Sequence, residues 1–156
     1  MKIGVVDYEA GNLRSVETAL RAIGADYLVA DTPEPLLATD RLVFPGVGDA
    51  KAAMDVLERS GLADAVREFF RSGRRILGIC VGSQIVLDAS EENDARCLGL
   101  VPGSARRFPA DLGLKVPHMG WNQVENTTGE PLFDGITPGT SFYFVHSYYP
   151  APAQPE

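Results

Sequence analysis

The stretch Arg75-Ile76-Leu77-Gly78-Ile79-Cys80-Val81-Gly82-Ser83-Gln84 decides how this chain folds. Its first half is a short, almost wholly apolar run, the pattern of a strand buried within a sheet. Its centre, Gly78-Ile79-Cys80-Val81-Gly82, has the form of a nucleophile elbow with Cys in the place of Ser. Glycines flank a sharp strand-to-helix turn that lifts the central side chain out of the sheet and sets it at a helix N-terminus. There, partial positive charge favours thiolate over thiol, and the next backbone N–H can face an oxyanion. On this reading Cys80 is a nucleophile and Val81 an oxyanion donor. The plainer reading makes Cys80 a small apolar residue that closes a core strand, the common state of an intracellular cysteine.

Upstream, strand and helix alternate. Residues 2–8 are apolar and rich in β-branched side chains, and residues 12–23 carry Leu13, Val16, Leu20 and Ile23 at helical spacing before Gly24. Residues 27–30 predict a second strand, Pro33 and Pro35 a turn with at most a short helix, and residues 42–44 a third strand ending at Pro45-Gly46. Helices are expected at 50–59 and 62–71, with Ala53, Leu57, Leu62, Val66, Phe69 and Phe70 turned inward and Gly61 between them. Such alternation requires parallel strands joined by right-handed crossovers, because a hairpin cannot close a parallel pair. The fold class is therefore α/β, an open, doubly wound, mostly parallel sheet flanked by helices.

Beyond Glu92 the helical periodicity fades and the second half reads as β-rich. Strands are expected near residues 98–101, 114–116, 122–124 and 141–149, with turns at Pro102-Gly103, Pro117, Thr128-Gly129 and Pro138-Gly139. From Tyr149 the chain runs through Pro150-Ala151-Pro152-Ala153-Gln154-Pro155-Glu156 with no further element to cover the strand before it. Residues 1–156 thus read as one domain whose C-terminal elements are missing.

Composition narrows the function classes. With 156 residues, 45% hydrophobic and 22% charged, the chain is of ordinary globular type and long enough for a core without staples. Fourteen Lys and Arg against 21 Asp and Glu give a net charge of −7, which argues against a nucleic-acid partner. The N-terminus lacks the apolar core of a signal peptide, and the longest apolar run falls far short of the ~18 residues of a membrane span. A cytoplasmic location away from the membrane is expected. Cys80 and Cys97 form no metal-ligand spacing, so no metal or cofactor is expected, and Cys97 reads as a buried apolar residue. Pro45-Gly46-Val47-Gly48 also follows a strand and should share the carboxyl edge of the sheet with Cys80. Its glycines suit close backbone approach to a ligand and a peptide able to turn over; a simple tight turn or a phosphate cradle would use the same residues, although the lysine of a P-loop is absent.

Several segments taken together carry a resemblance. They are Val6-Asp7-Tyr8 with Gly11-Asn12-Leu13, Cys80-Val81-Gly82-Ser83-Gln84, Ser90-Glu91-Glu92, Pro117-His118-Met119-Gly120-Trp121-Asn122 and Tyr143-Phe144-Val145-His146-Ser147-Tyr148. In order and spacing, from Met1 to about Tyr149, this set resembles the glutaminase subunits of imidazole glycerol phosphate synthase, class I (triad) glutamine amidotransferases of histidine biosynthesis. The resemblance implies that Cys80 attacks the carboxamide of glutamine to give a thioester and ammonia, and that water then releases glutamate. It implies a partner cyclase with a (β/α)₈ barrel that uses the ammonia to make imidazole glycerol phosphate. By matched position, the backbone of Val47 and Val81 forms the oxyanion hole, and Gly48, Gln84, Glu92, Ser147 and Tyr148 surround the glutamine. The Glu92 carboxylate suits the substrate ammonium. Asn12, His118, Met119, Trp121 and Asn122 match the partner-facing surface.

Read without the resemblance, Gln84 is an exposed residue of a first helical turn, Glu91-Glu92 a solvated acidic pair, and Met119 and Trp121 core. His118 and His146 are the only histidines. Either could in principle serve Cys80 as base, whereas the resemblance places both in other motifs as structural residues. The family's His and Glu, carried in a His-Pro-Glu turn after a later strand, do not occur in this sequence, and Gln154-Pro155-Glu156 is no substitute. The expectation is a chain that hardly turns over glutamine, since general acid–base help is worth ~10²–10⁴-fold. Val81 and Ser83 also stand where the family has Leu and Met. The alternatives are a catalytically dead partner-binding domain and a stand-alone Cys hydrolase.

Overall fold

The computed structural model describes residues 1–9, 12–125 and 129–154. The expectations for Gly11, Thr128 and Pro155-Glu156 fall outside those residues. Strands β1 (Lys2–Val6), β2 (Asp26–Ala30), β3 (Arg41–Gly46) and β4 (Ile76–Cys80) form a parallel sheet in the order β2-β1-β3-β4. The register sets Val5 beside Val43 and Val43 beside Leu77, so these three share one face, while Gly4, Leu42 and Ile76 share the other.

Helix α1 (Leu13–Ala22) covers the first face, packing Leu20 against Val5 and Val43, and Asn12 caps it by accepting from the Ser15 N–H. Ile23, expected to point inward, is the C-cap residue and is 75% exposed, because the helix stops one residue short of it. The opposite face carries α2 (Pro33–Leu37), α3 (Ala50–Arg59), α4 (Leu62–Arg71) and α5 (Val81–Ile85). Their inward residues Leu36, Ala53, Leu57, Leu62, Val66, Phe69 and Ile85 close the main core over Val6 and Phe44. Phe70, also expected inward, is exposed. Arg74 ties this layer together by lying 3.9 Å over the Phe69 ring and donating to the Leu37 and Thr39 carbonyls. On the α1 side, Leu77 and Ile79 of the edge strand β4 remain 42% and 41% exposed.

The second half forms β5 (Ala89–Ser90), β6 (Ala95–Arg96), β7 (Gly103–Arg107), β8 (His118–Val124), β9 (Thr140–His146) and β10 (Tyr148–Pro152). A mixed sheet runs β10-β7-β5-β6, and β8 pairs antiparallel with β9 alone. Residues 98–101 are not a strand. The N–H groups of Leu98, Gly99, Leu100 and Val101 instead donate to Ile85, Leu87, Val86 and Val86, so α5 and the chain after it take the hydrogen bonds a ladder would have used. Residues 114–116 are likewise irregular, following the left-handed Gly113 with Leu114 exposed. The proline-rich end expected to trail away is strand β10 as far as Pro152. It pairs with β7 at the sheet edge, where prolines fit because one side of the strand needs no N–H donors. None of the described helices is long and apolar enough to cross a membrane.

Candidate active site

Cys80 stands where β4 ends and α5 begins, with φ 56° and ψ −117°, a conformation that a residue with a Cβ adopts only under constraint. The flanking glycines have a different purpose from the one their pattern suggests. Neither Gly78 nor Gly82 has positive φ; the turn is made by Cys80 itself. A Cβ on Gly78 would lie 2.7 Å from Ser83 Cα, and one on Gly82 would run into the Phe44 carbonyl oxygen. Gly46 faces the same spot, 2.7 Å from the Gly82 nitrogen at its missing Cβ. Three missing side chains let the start of α5 lie directly on the ends of β3 and β4, and Ser83 Oγ, donating to the Cys80 carbonyl at 2.7 Å, holds the elbow.

The elbow opens into a cleft of about 420 Å³. Cys80, Val47, Val81, Gly48, Gln84, Glu92, Ser147 and Tyr148 all line it, so every residue expected to act on or hold a substrate comes to one place. Parallel register explains half of this, since Gly46 pairs with Cys80 and brings the two glycine-rich tips side by side. Gly48, at φ +88°, turns the loop beyond Val47 in a way that favours glycine. The other half arrives from the second half of the chain, where β9 gives way to β10 across the cleft.

Gln84 is 5% exposed, not the solvated residue its helical position suggests, and its Nε2 donates to the Tyr148 carbonyl at 3.4 Å. Glu92 accepts from the Ala50 N–H at 3.0 Å, which commits one carboxylate oxygen to the start of α3. Glu91 is likewise not simply solvated: it accepts from the Arg107 N–H at 2.7 Å and fastens β7. Beneath the elbow the Tyr8 phenol is buried with no hydrogen-bond partner among the described residues, and burial, with Cys80 close by, pushes its pKa far up. Cys97 is 3% exposed, and burial pushes its thiol up to about 11. Among the described residues no three His, Cys, Asp or Glu side chains gather to hold a metal ion.

His146 also lines the cleft, a position that its place in an apolar strand did not betray. Neither of its ring nitrogens is left for Cys80. Nδ1 meets the Tyr148 carbonyl at 2.9 Å and Nε2 meets His118 Nδ1 at 3.0 Å. His118 lines a neighbouring cavity rather than this cleft. The residues expected on the partner surface are divided by strand alternation. Met119 and Trp121 share one face of β8 with Tyr143 and Val145 opposite, while His118 and Asn122 share the other with Phe144. Asn12 lies apart from this ladder, as the cap of α1.

The family model for class I glutamine amidotransferases matches residues 4–156. Among curated proteins, the imidazole glycerol phosphate synthase subunit HisH of Chromobacterium violaceum is 50% identical, over 98% of this chain and 76% of its own length. The HisH subunit of Dehalococcoides mccartyi is 43% identical, over 98% of this chain and 74% of its own length. Among solved structures, a glutamine amidotransferase superposes with a TM-score of 0.68 at 21% identity, covering 97% of this chain and 74% of that one. A second, from Thermotoga maritima, gives 0.67 at 18%, covering 97% and 63%. The structural likeness shows the fold, and the sequence identity over almost the whole chain goes further: this chain belongs to the HisH family of imidazole glycerol phosphate synthase subunits, the glutamine amidotransferase subunits of histidine biosynthesis.

Proposed function

We propose that Cys80 is the nucleophile that attacks the carboxamide carbon of glutamine in this cleft. The observation that carries the reading is the convergence of eight residues, drawn from both halves of the chain, on one 420 Å³ cleft with Cys80 at its rim. The attack forms a C–S bond and places the developing oxyanion toward the backbone N–H groups of Val47 and Val81. Collapse of the adduct expels ammonia and leaves a thioester, which water hydrolyses to glutamate. Glu92 and Gln84 meet the polar end of the substrate, together with the Ser147-Tyr148 backbone. Proton delivery to the departing ammonia needs a base, and with both His146 nitrogens engaged the 156 residues by themselves make a poor glutaminase. The same engagement weighs against a stand-alone hydrolase built on His146.

The ammonia goes to a cyclase subunit with a (β/α)₈ barrel. Its docking face on this chain is the outer side of the β8-β9 ladder, where Met119, Trp121, Tyr143 and Val145 are 59%, 73%, 56% and 51% exposed, more contiguous apolar surface than a free face of a small sheet needs. Trp121 and Tyr143 meet edge to face at 5.6 Å and form its aromatic centre. The unpaired cysteines fit work in a reducing cytoplasm. The test is protection of Cys80 from iodoacetamide by glutamine, followed by peptide mass spectrometry on the chain with its cyclase partner. Glutamine should slow the reaction and asparagine should not. Equal alkylation with and without glutamine would remove the reading. A Cys80→Ala chain should keep its affinity for the cyclase and lose any release of glutamate.

A further inference from the structure

The two histidines are cross-strand partners, His118 on β8 directly opposite His146 on β9. Their contacts determine where the protons sit. A carbonyl oxygen only accepts, so His146 Nδ1, 2.9 Å from the Tyr148 carbonyl, carries hydrogen. In the neutral ring Nε2 is then an acceptor, and the His118 Nδ1 that faces it at 3.0 Å carries hydrogen in turn. Aromatic neighbours keep both rings in place: Phe108 meets His146 edge on at 5.0 Å, and Phe144 stacks on His118 at 5.1 Å. The chain of donors ends on the Tyr148 carbonyl, which also accepts from Gln84 Nε2. The preceding carbonyl, that of Ser147, accepts from the Phe108 N–H at 3.1 Å. The two peptides that lead into β10 across the cleft are therefore tied on their carbonyl sides.

From this we infer that His146, its tautomer set by His118, is a positioning residue for glutamine: it fixes the Tyr148 carbonyl, and through it the orientation of the Gln84 carboxamide. With Nε2 drawn to Tyr148, Gln84 presents Oε1 as an acceptor for an N–H donor, the ammonium or the carboxamide of the substrate. A His146 ring in the other tautomer would set a lone pair against the carbonyl, push Tyr148 away and free the Gln84 side chain to turn over. The inference rests on the glutamine reading of the cleft.

With only two histidines in the chain, ring-nitrogen NMR reports both tautomers without ambiguity. At about pH 8.5, well above the ordinary imidazole value, both rings should show a protonated Nδ1 and a bare Nε2. A protonated Nε2 on His146 would overturn the inference. The second measurement is the glutamine concentration that half-protects Cys80 from iodoacetamide. His118→Ala, which does not touch the cleft, should raise it roughly five- to tenfold, the loss of about one hydrogen bond. His118→Asn, whose amide nitrogen takes the place of Nδ1, should stay within about twofold of the unaltered chain. A purely structural role would not distinguish these variants by cleft affinity while leaving their urea midpoints alike. Unchanged protection in His118→Ala, or no rescue by His118→Asn, would refute the positioning role alone. Absence of protection in the unaltered chain would refute the glutamine reading, and this inference with it.

Discussion

Replacing Cys80 by glycine should make the protein more stable than replacing it by alanine. Cys80 holds φ 56° and ψ −117°. A residue with a Cβ in so sparsely populated a region costs ~1–3 kcal/mol, and alanine keeps that cost because it keeps the Cβ. Glycine removes it but brings ~0.5–1 kcal/mol of extra chain entropy lost on folding. The difference leaves glycine ahead by up to about 2.5 kcal/mol, with about 1 kcal/mol at the middle of the two ranges. Loss of the thiol itself changes little in either variant, because the side chain is exposed at the mouth of the cleft. For a chain of this length each kcal/mol corresponds to roughly 2–4 °C in melting temperature. Urea denaturation of the two variants, compared at a common m-value, gives the difference directly. A glycine variant no more stable than the alanine variant would refute the claim that the elbow stores strain. If the difference is found, it measures what the fold gives up to hold the Cys80 side chain out of the sheet.

Other perturbations test the packing and the surfaces. Gly82→Ala should destabilise by about 1–3 kcal/mol, since its Cβ would strike the Phe44 backbone, and an unchanged urea midpoint would contradict the close seating of α5. Trp121→Ala should weaken assembly with the cyclase by more than tenfold in a titration while moving stability by less than about 0.5 kcal/mol, because the ring is 73% exposed; unaltered affinity would move the interface elsewhere. The buried Cys97 thiol, pushed up from 9.0 to about 11, stays protonated in the folded chain where the unfolded chain ionises. Its contribution to stability is thus full below about pH 9 and is lost as pH rises toward about 11, at no more than ~1.4 kcal/mol per pH unit. Urea midpoints should accordingly fall less steeply over that range in Cys97→Ala than in the unaltered chain, and parallel curves would count against it.

The α/β half of the molecule was legible because its signals are local. Apolar strands ending in glycine, the helices expected at 12–23, 50–59 and 62–71, and the elbow around Cys80 are each read within a few residues, and each element formed where expected. The inward stripes failed only at Ile23, which lies just past the end of α1, and at Phe70, which is turned about 100° round α4 from the buried Phe69. In the second half the same method placed strands at 98–101 and 114–116 and missed β5, β6 and β7. The two-residue strands β5 and β6 carry no periodicity, β7 reads Gly-Ser-Ala-Arg-Arg without an apolar alternation, and residues 98–101 prefer hydrogen bonds to the end of α5 that depend on distant packing.

The candidate site divides along the same line. Residue types and order alone pointed to Cys80 and to the loop of Val47 and Gly48, because reaction chemistry demands particular side chains at particular turns, whereas Gln84, Glu92, Ser147 and Tyr148 followed only from the family resemblance of their motifs. Only the tertiary structure decided that Gln84 is buried, that Cys80 rather than its glycines carries the unusual backbone angles, and that Met119 and Trp121 part company with His118 and Asn122 across β8. It alone occupied both nitrogens of His146. Those outcomes are set by which neighbour across space supplies a carbonyl, a ring or a void, and no pattern along the chain contains that information.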